Sequence, residues 1–214
     1  MKPPKSLSAQ TKQVLTCLKR MYPDAHCALN YRNPFELLVA TMLSSQCTDV
    51  RVNQVTATLF ETYPDPQAFA SAEPSALEQA VRPTGFFRNK AAAIQASSRI
   101  LLAQHGGEVP RTLEYLTQLP GVGRKTASVV MGNAFGAADG VVVDTHVSRL
   151  SQRLGLSSQT TPEKIEQDLM VLIPKADWVL FPHLMIAHGR AICKARKPDC
   201  GHCLLNDICP SAMG

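Results

Sequence analysis

No apolar run in this 214-residue chain approaches the length of a membrane span. The longest, Trp178 to Ala187, is interrupted by Pro182 and His183. The first residues, Met1-Lys2-Pro3-Pro4-Lys5-Ser6, are polar and proline-rich with no apolar core behind them, so no secretory leader is expected. A complete disulfide framework is missing as well, because seven cysteines are an odd number. Cys17, Cys27 and Cys47 sit scattered among apolar neighbours, as buried free thiols would, which points to a reducing compartment. Strands are scarce too. Only Val141-Val142-Val143 has strand composition, and a lone strand has nothing to pair with, so an extended connector is expected there. Charge is not extreme: 22 Lys plus Arg against 17 Asp plus Glu leave a net +5, compatible with nucleic acid but no proof of it.

What remains is helical and long enough for one domain or two small lobes. After a loose tail over residues 1–7, carrying Lys2 and Lys5, Ser8 can cap a helix with Val14, Leu15, Leu18 and Met21 on one face, ended by Pro23. Asn33-Pro34-Phe35-Glu36 is a second start, with Asn as cap, Pro at the first position and Glu at the third. It opens a helix carrying Phe35, Leu38, Met42 and Leu43, followed by the polar stretch Ser44-Ser45-Gln46-Cys47-Thr48-Asp49. A third helix runs to about Thr62 and is broken by Pro64 and Pro66, and a short one is expected near Pro74–Val81. Gly85 and the aromatics Phe86 and Phe87 then form a loop before an Ala-rich helix, Ala91–Gln104, closed by His105-Gly106-Gly107. Further helices are expected over Thr145–Leu154 and from Thr161-Pro162-Glu163 onward.

The chemistry concentrates in Leu119-Pro120-Gly121-Val122-Gly123-Arg124-Lys125. A short helix over Thr112–Gln118 precedes it and an apolar helical run to Phe135 follows, so the unit reads helix, hairpin, helix. Gly121 and Gly123 supply freedom from Cβ clash. The hairpin leaves backbone N–H groups at the positive end of the second helix, a phosphate site that Arg124 and Lys125 reinforce. A tight helix–helix connection alone would look similar. At this position the dipole and Arg124 disfavour the ammonium form of Lys125, and partial burial would add to the effect, so the amine either acts as a nucleophile or only binds phosphate. Asp144, in Val143-Asp144-Thr145-His146, is either the N-cap of the next helix or a catalytic carboxylate. Near the C-terminus Cys193, Cys200, Cys203 and Cys209 follow C-x6-C-x2-C-x5-C, a metal site by composition. Zinc and iron–sulfur both accept four thiolates, and general rules do not choose between them.

Together these three signatures, in this order, resemble the endonuclease III branch of the helix-hairpin-helix DNA glycosylases, from about Pro34 to Cys209. The resemblance implies an all-α fold of two lobes, 27–137 carrying the hairpin and 1–26 plus 138–214 carrying the cluster, with DNA and Asp144 at the cleft. It implies a [4Fe–4S] cluster, structural rather than catalytic, on Cys193, Cys200, Cys203 and Cys209. It also implies a base excision repair glycosylase with β-lyase activity, in which Lys125 forms a Schiff base with the sugar and Asp144 assists. The substrate would be double-stranded DNA with oxidised or ring-saturated pyrimidines, or abasic sites, bound by a monomeric, cytoplasmic and nucleoid-associated enzyme.

The remaining DNA contacts implied are Gln46 as gap-filling residue and Phe86 where the family places an apolar wedge. Hairpin residues Gly121, Val122, Gly123 and Arg124 join them, with His146, Arg190 and the basic loop Lys194, Arg196 and Lys197. Each has a plainer reading: Gln46 as a helix-end polar residue, Phe86 as core, the basic loop as a solvated surface. Phe86-Phe87, Cys47 beside Gln46, and Met131-Gly132-Asn133 depart from the family pattern, the first two bearing on lesion choice. The adenine-glycosylase branch shares hairpin and cluster, but it lacks a lysine at position 125 and carries a glutamate where Val39-Ala40-Thr41 stands here. A non-catalytic DNA-binding module is the rival of another class, and it would need no Lys125 chemistry.

Overall fold

The computed structural model describes residues 5–212. Among them the regular structure is helical, in the order α1 (Lys5–Met21), α2 (Pro34–Leu43), α3 (Asp49–Thr62), α4 (Pro66–Ser71), α5 (Pro74–Val81), α6 (Phe87–His105), α7 (Leu113–Gln118), α8 (Arg124–Phe135), α9 (Thr145–Arg153), α10 (Pro162–Leu172) and α11 (Leu180–Ala191). The chain divides into two compact units, Cys27–Ala137 and the residues on either side of it.

In the unit Cys27–Ala137, α2 is the centre. It is apolar on every side rather than along one stripe, the pattern of a helix enclosed by others, and every residue from Phe35 to Leu43 is buried. Asn33 caps it, accepting from the Glu36 N–H at 2.9 Å. Helices α3, α6 and α8 pack on α2, and α6 also carries α4 and α5. Phe69, fully buried on α4, meets Phe35 edge-on at 5.5 Å between ring centres. Each such side chain contributes about 1.5–3 kcal/mol through burial. Helix α4 lies where only a proline break is expected from the sequence. Its signal is Asp65-Pro66: Asp65 Oδ1 accepts from the Ala68 N–H at 2.8 Å, with Pro66 at the first helical position.

The other unit assembles α1, α9, α10 and α11 around Leu18, Val147, Leu150, Leu169, Phe181 and Leu184. Helix α1 is already formed at Lys5, so the expected cap at Ser8 is not its start; Lys2 lies outside the described residues. Val141–Val143 lies in an irregular connector, with Val141 fully buried and no strand among the described residues. Pro182 sits in the first turn of α11, where a missing N–H costs no helical bond. Among the described residues no helix is long and apolar enough to cross a membrane.

Candidate functional site

Helix α7 is capped by Thr112, whose hydroxyl accepts from the Tyr115 N–H, and is followed by Leu119, buried at 2% exposure. The turn closes when the Val122 N–H donates to Leu119 O at 3.1 Å, and Val122 plugs into the core. The two glycines are not equivalent. Gly121 has φ +76°, and a Cβ there would lie 2.8 Å from Ala93 Cβ and 3.1 Å from Met42 Cε. Gly123 is extended, φ −85° and ψ 172°, with open space around it. Expected freedom from clash is therefore a requirement at Gly121 alone. Gly121→Ala should destabilise by about 2–3 kcal/mol through left-handed strain and overpacking. Gly123→Ala should stay within about 0.5 kcal/mol; thermal or urea unfolding of both variants checks the contrast.

Helix α8 begins at Arg124 with no side chain capping its first turn. Lys125 is its second residue, and both Arg124 and Lys125 are exposed. The partial burial expected of Lys125 is absent, because at the second position of this turn the side chain leaves the core face that Ala127 and Val130 occupy. In the same unit Gln46 and Phe86 share an unusual feature. Gln46 follows α2 with φ +53°, and Phe86 precedes α6 with φ +47°. A left-handed backbone is uncommon for a residue with a Cβ. Among the described residues the only other non-glycine with positive φ is Lys197, in the basic loop, at +53°. Phe86 is 63% exposed, which excludes its core reading, and Gln46 is exposed as well.

In the other unit Asp144 is the N-cap of α9: Oδ1 accepts from the Val147 N–H at 2.8 Å, which leaves its second carboxylate oxygen outside that cap. His146 is half-buried, with Nδ1 3.3 Å from Arg149 Nη2. Arg149 reaches on to donate to Cys193 O at 3.1 Å. Both side chains lie against Gly189 of α11, where a Cβ would come within 2.6 Å of His146 Nδ1. Arg190, the next residue, is exposed.

The four C-terminal cysteines line one cavity of about 230 Å³ together with Arg153 and His188. Among the described residues no three His, Cys, Asp or Glu side chains converge as a single ion requires. A lone tetrahedral zinc needs sulfurs about 2.3 Å from one point. Four thiols around this larger space instead fit a cluster of several irons. Burial first, and then the neighbouring cysteines, raise the Cys203 and Cys209 thiols above the usual cysteine value. Such a set is held as thiolates only with cationic metal among them.

The surroundings orient the sulfurs. The Leu205 N–H donates to Cys203 Sγ at 3.4 Å, and His188 Nε2 lies 3.6 Å from the same sulfur. Burial lowers His188 to about 4, so its ring is neutral near pH 7. Tyr22 OH lies 3.0 Å from His188 Nδ1, and burial raises it further above neutral pH; with a metal-bound Cys203 thiolate as acceptor, the imidazole proton would sit on Nε2, facing sulfur, and Tyr22 would donate to Nδ1. Arg153 donates to Cys193 Sγ at 3.3 Å, to Lys194 O at 2.8 Å and to Ala195 O at 3.0 Å. One guanidinium thus holds both a cluster cysteine and the basic loop, where Lys194, Arg196 and Lys197 are exposed. Arg149 and Arg153 are absent from the sequence reading. The available signal was their four-residue spacing on one face of the helix that Asp144 caps.

Within Cys27–Ala137 the structure therefore gathers Gly121, Val122, Gly123, Arg124 and Lys125 at one hairpin, with Gln46 and Phe86 on two loops. Asp144, His146, Arg190 and the cysteine loop belong to the other unit. Residues 39–175 match the profile of the HhH-GPD superfamily of base excision DNA repair proteins, and residues 193–209 that of the iron–sulfur binding domain of endonuclease III. The endonuclease III of Synechocystis sp. is 54% identical over 97% of this chain and 95% of its own length. That of Escherichia coli is 40% identical over 94% and 95%. A solved endonuclease III caught as a trapped covalent intermediate with DNA superposes with TM-score 0.87 at 46% identity, covering 94% of this chain and 96% of that one. A thermostable thymine-DNA glycosylase reaches the same TM-score at 21% identity over 97% and 99%, a likeness of fold alone.

Proposed function

Since this chain belongs to the endonuclease III family of HhH-GPD base excision DNA repair proteins, we propose that Lys125 and Asp144 carry the chemistry of this DNA glycosylase and AP lyase. The substrate is duplex DNA bearing an oxidised or ring-saturated pyrimidine. The observation that carries this reading is an exposed lysine at the start of α8, immediately after a hairpin whose glycine admits no side chain. Phosphates meet the positive end of α8 and Arg124, which sets the lysine against the sugar.

The neutral Lys125 amine attacks C1′: its nitrogen bonds to carbon as the glycosidic C–N bond breaks, and the base leaves with a proton. Positive charge develops on the sugar, and the Asp144 carboxylate either stabilises it or takes the amine proton. Opening of the sugar ring gives a Schiff base. Loss of a C2′ proton then expels the 3′ phosphate and nicks the strand, and water releases Lys125. The target nucleotide must leave the stack for this attack, so Gln46 and Phe86 fill the space it vacates. Lys194, Arg196, Lys197, His146 and Arg190 contact the DNA backbone. The [4Fe–4S] cluster held by Cys193, Cys200, Cys203 and Cys209 supplies rigidity to that basic loop. A cytoplasmic location accords with thiols at Cys17, Cys27 and Cys47 that form no disulfide, and nucleoid association would follow from DNA as the substrate.

Incubation of the protein with a thymine-glycol duplex and sodium borohydride tests this. A covalent complex on a denaturing gel is expected. Base release without trapping would make the protein a monofunctional glycosylase, and neither event on this or an abasic duplex would leave only a DNA-binding module. The role of Asp144 is separable from its cap. Asp144→Asn keeps a good capping side chain, so stability should hold while base release falls about 10²-fold; Asp144→Ala should in addition lose about 1 kcal/mol. Equal stability in Ala and Asn, or full base release in Asn, would contradict this division of roles.

A further inference from the structure

Lys90, on α6, is only 7% exposed, an uncommon place for a lysine. Its ammonium donates to two main-chain carbonyls, Leu43 O and Thr84 O, each at 2.8 Å. Leu43 closes α2 three residues before Gln46, and Thr84 lies in the 3-10 turn Arg82–Thr84 two residues before Phe86. One buried cation therefore bonds the roots of the two loops whose tips are Gln46 and Phe86. Both tips have left-handed backbones, a conformation that persists only where the surroundings impose it. The Leu43 carbonyl belongs to the negative end of α2, a favourable acceptor for a cation. The Thr84 hydroxyl also donates to Val81 O at 2.8 Å, which fixes the turn that presents the second carbonyl. Burial lowers the Lys90 ammonium below the usual lysine value, while Cys47 acts the opposite way.

We propose that Lys90 is a positioning residue that clamps the Gln46 loop to the Phe86 loop, so that both side chains enter the DNA gap as one preset unit. The inference rests on the gap-filling reading of Gln46 and Phe86 above. Charge-assisted bonds to two carbonyls set the spacing of the loops before DNA arrives, which lowers the ordering cost of binding.

Two substrates separate this role from general damage. Base release from a thymine-glycol duplex needs the gap filled, whereas borohydride trapping on a single-stranded abasic oligonucleotide does not. Lys90→Met should lower duplex base release about tenfold and leave single-strand trapping within about twofold. Phe86→Ala should also lower duplex release, and Lys90→Met with Phe86→Ala should be no worse than the poorer single variant, as coupled sites behave. Losses that multiply in the double variant, or an equal loss on both substrates, would overturn the clamp. Unchanged duplex release in both Phe86→Ala and Gln46→Ala would instead remove the gap-filling reading, and the clamp with it. Should Lys90→Met not fold, Lys90→Arg keeps charge and donors but forces the carbonyls apart with a larger head. The same selective loss on duplex is then expected, and an unchanged ratio of duplex to single-strand activity would overturn the proposal.

Discussion

Replacing Lys125 by alanine should abolish the borohydride-trapped complex and lower strand cleavage roughly 10³-fold or more, the scale of losing a nucleophile. The fold should not register the change. Lys125 is exposed, sits in the first turn of α8 and is replaced by the best helix former, so unfolding free energy should move by less than about 0.5 kcal/mol. A lysine that only bound phosphate predicts a different result: about tenfold weaker binding, with a shallower salt dependence and chemistry largely intact. Lys125→Arg sharpens the distinction. Arginine keeps the positive charge at the same helix start but stays protonated, so it can hold a phosphate and cannot attack C1′. An arginine variant with normal trapping or normal cleavage would remove Lys125 from the chemistry.

Loss of a cluster cysteine should be the largest effect on stability. In Cys203→Ser we expect loss of bound iron and sulfide, a fall of several kcal/mol in stability, and rapid proteolysis within the last twenty or so residues. The melting temperature should drop by about 10 °C or more, given about 2–4 °C per kcal/mol at this size. The reason is local. Among the described residues after α11 the regular structure is two 3-10 turns, Cys200–His202 and Asn206–Ile208, and Leu205, between them, is the fully buried apolar side chain of this stretch. Such a stretch has too little core to stay folded without a staple. Arg153 would then lose Cys193 as a fixed partner, and the basic loop it holds should loosen, which weakens DNA binding before it touches the chemistry. A cluster-free variant with unchanged melting temperature and protease resistance would show that the loop folds by itself.

The parts of this site that were legible in the sequence are those whose physics acts within a few residues. Asn33 announces a helix start because a cap bonds an N–H three residues away, as it does here, and Thr112, expected inside α7, turns out to cap it by the same bond. The same rule covers Asp144, whose cap and carboxylate chemistry are compatible because it has two oxygens. Four cysteines in one short stretch declare a metal centre because ligands close in sequence need little chain closure to meet. Where the local signal misled, it was present and outranked: Asp65-Pro66 starts a helix, but Pro64 and Pro66 read first as a break.

The rest depends on what packs against a residue from far along the chain. Gly121 and Gly123 look alike in sequence. Only the approach of Ala93 and Met42 makes the first indispensable and leaves the second open. Phe86 reads equally as core or surface until its left-handed backbone turns the ring out to solvent. Lys90 has the spelling of any solvated lysine on an Ala-rich helix. Its amine is buried because Leu43 and Thr84, 47 and 6 residues away, bring their carbonyls to it. Arg153 likewise acquires its partners 40 to 42 residues downstream. Caps, turns and ligand spacing are short-range and therefore written in consecutive letters. Burial and the satisfaction of buried polar groups are set by the whole packed unit, and they exist only once it has folded.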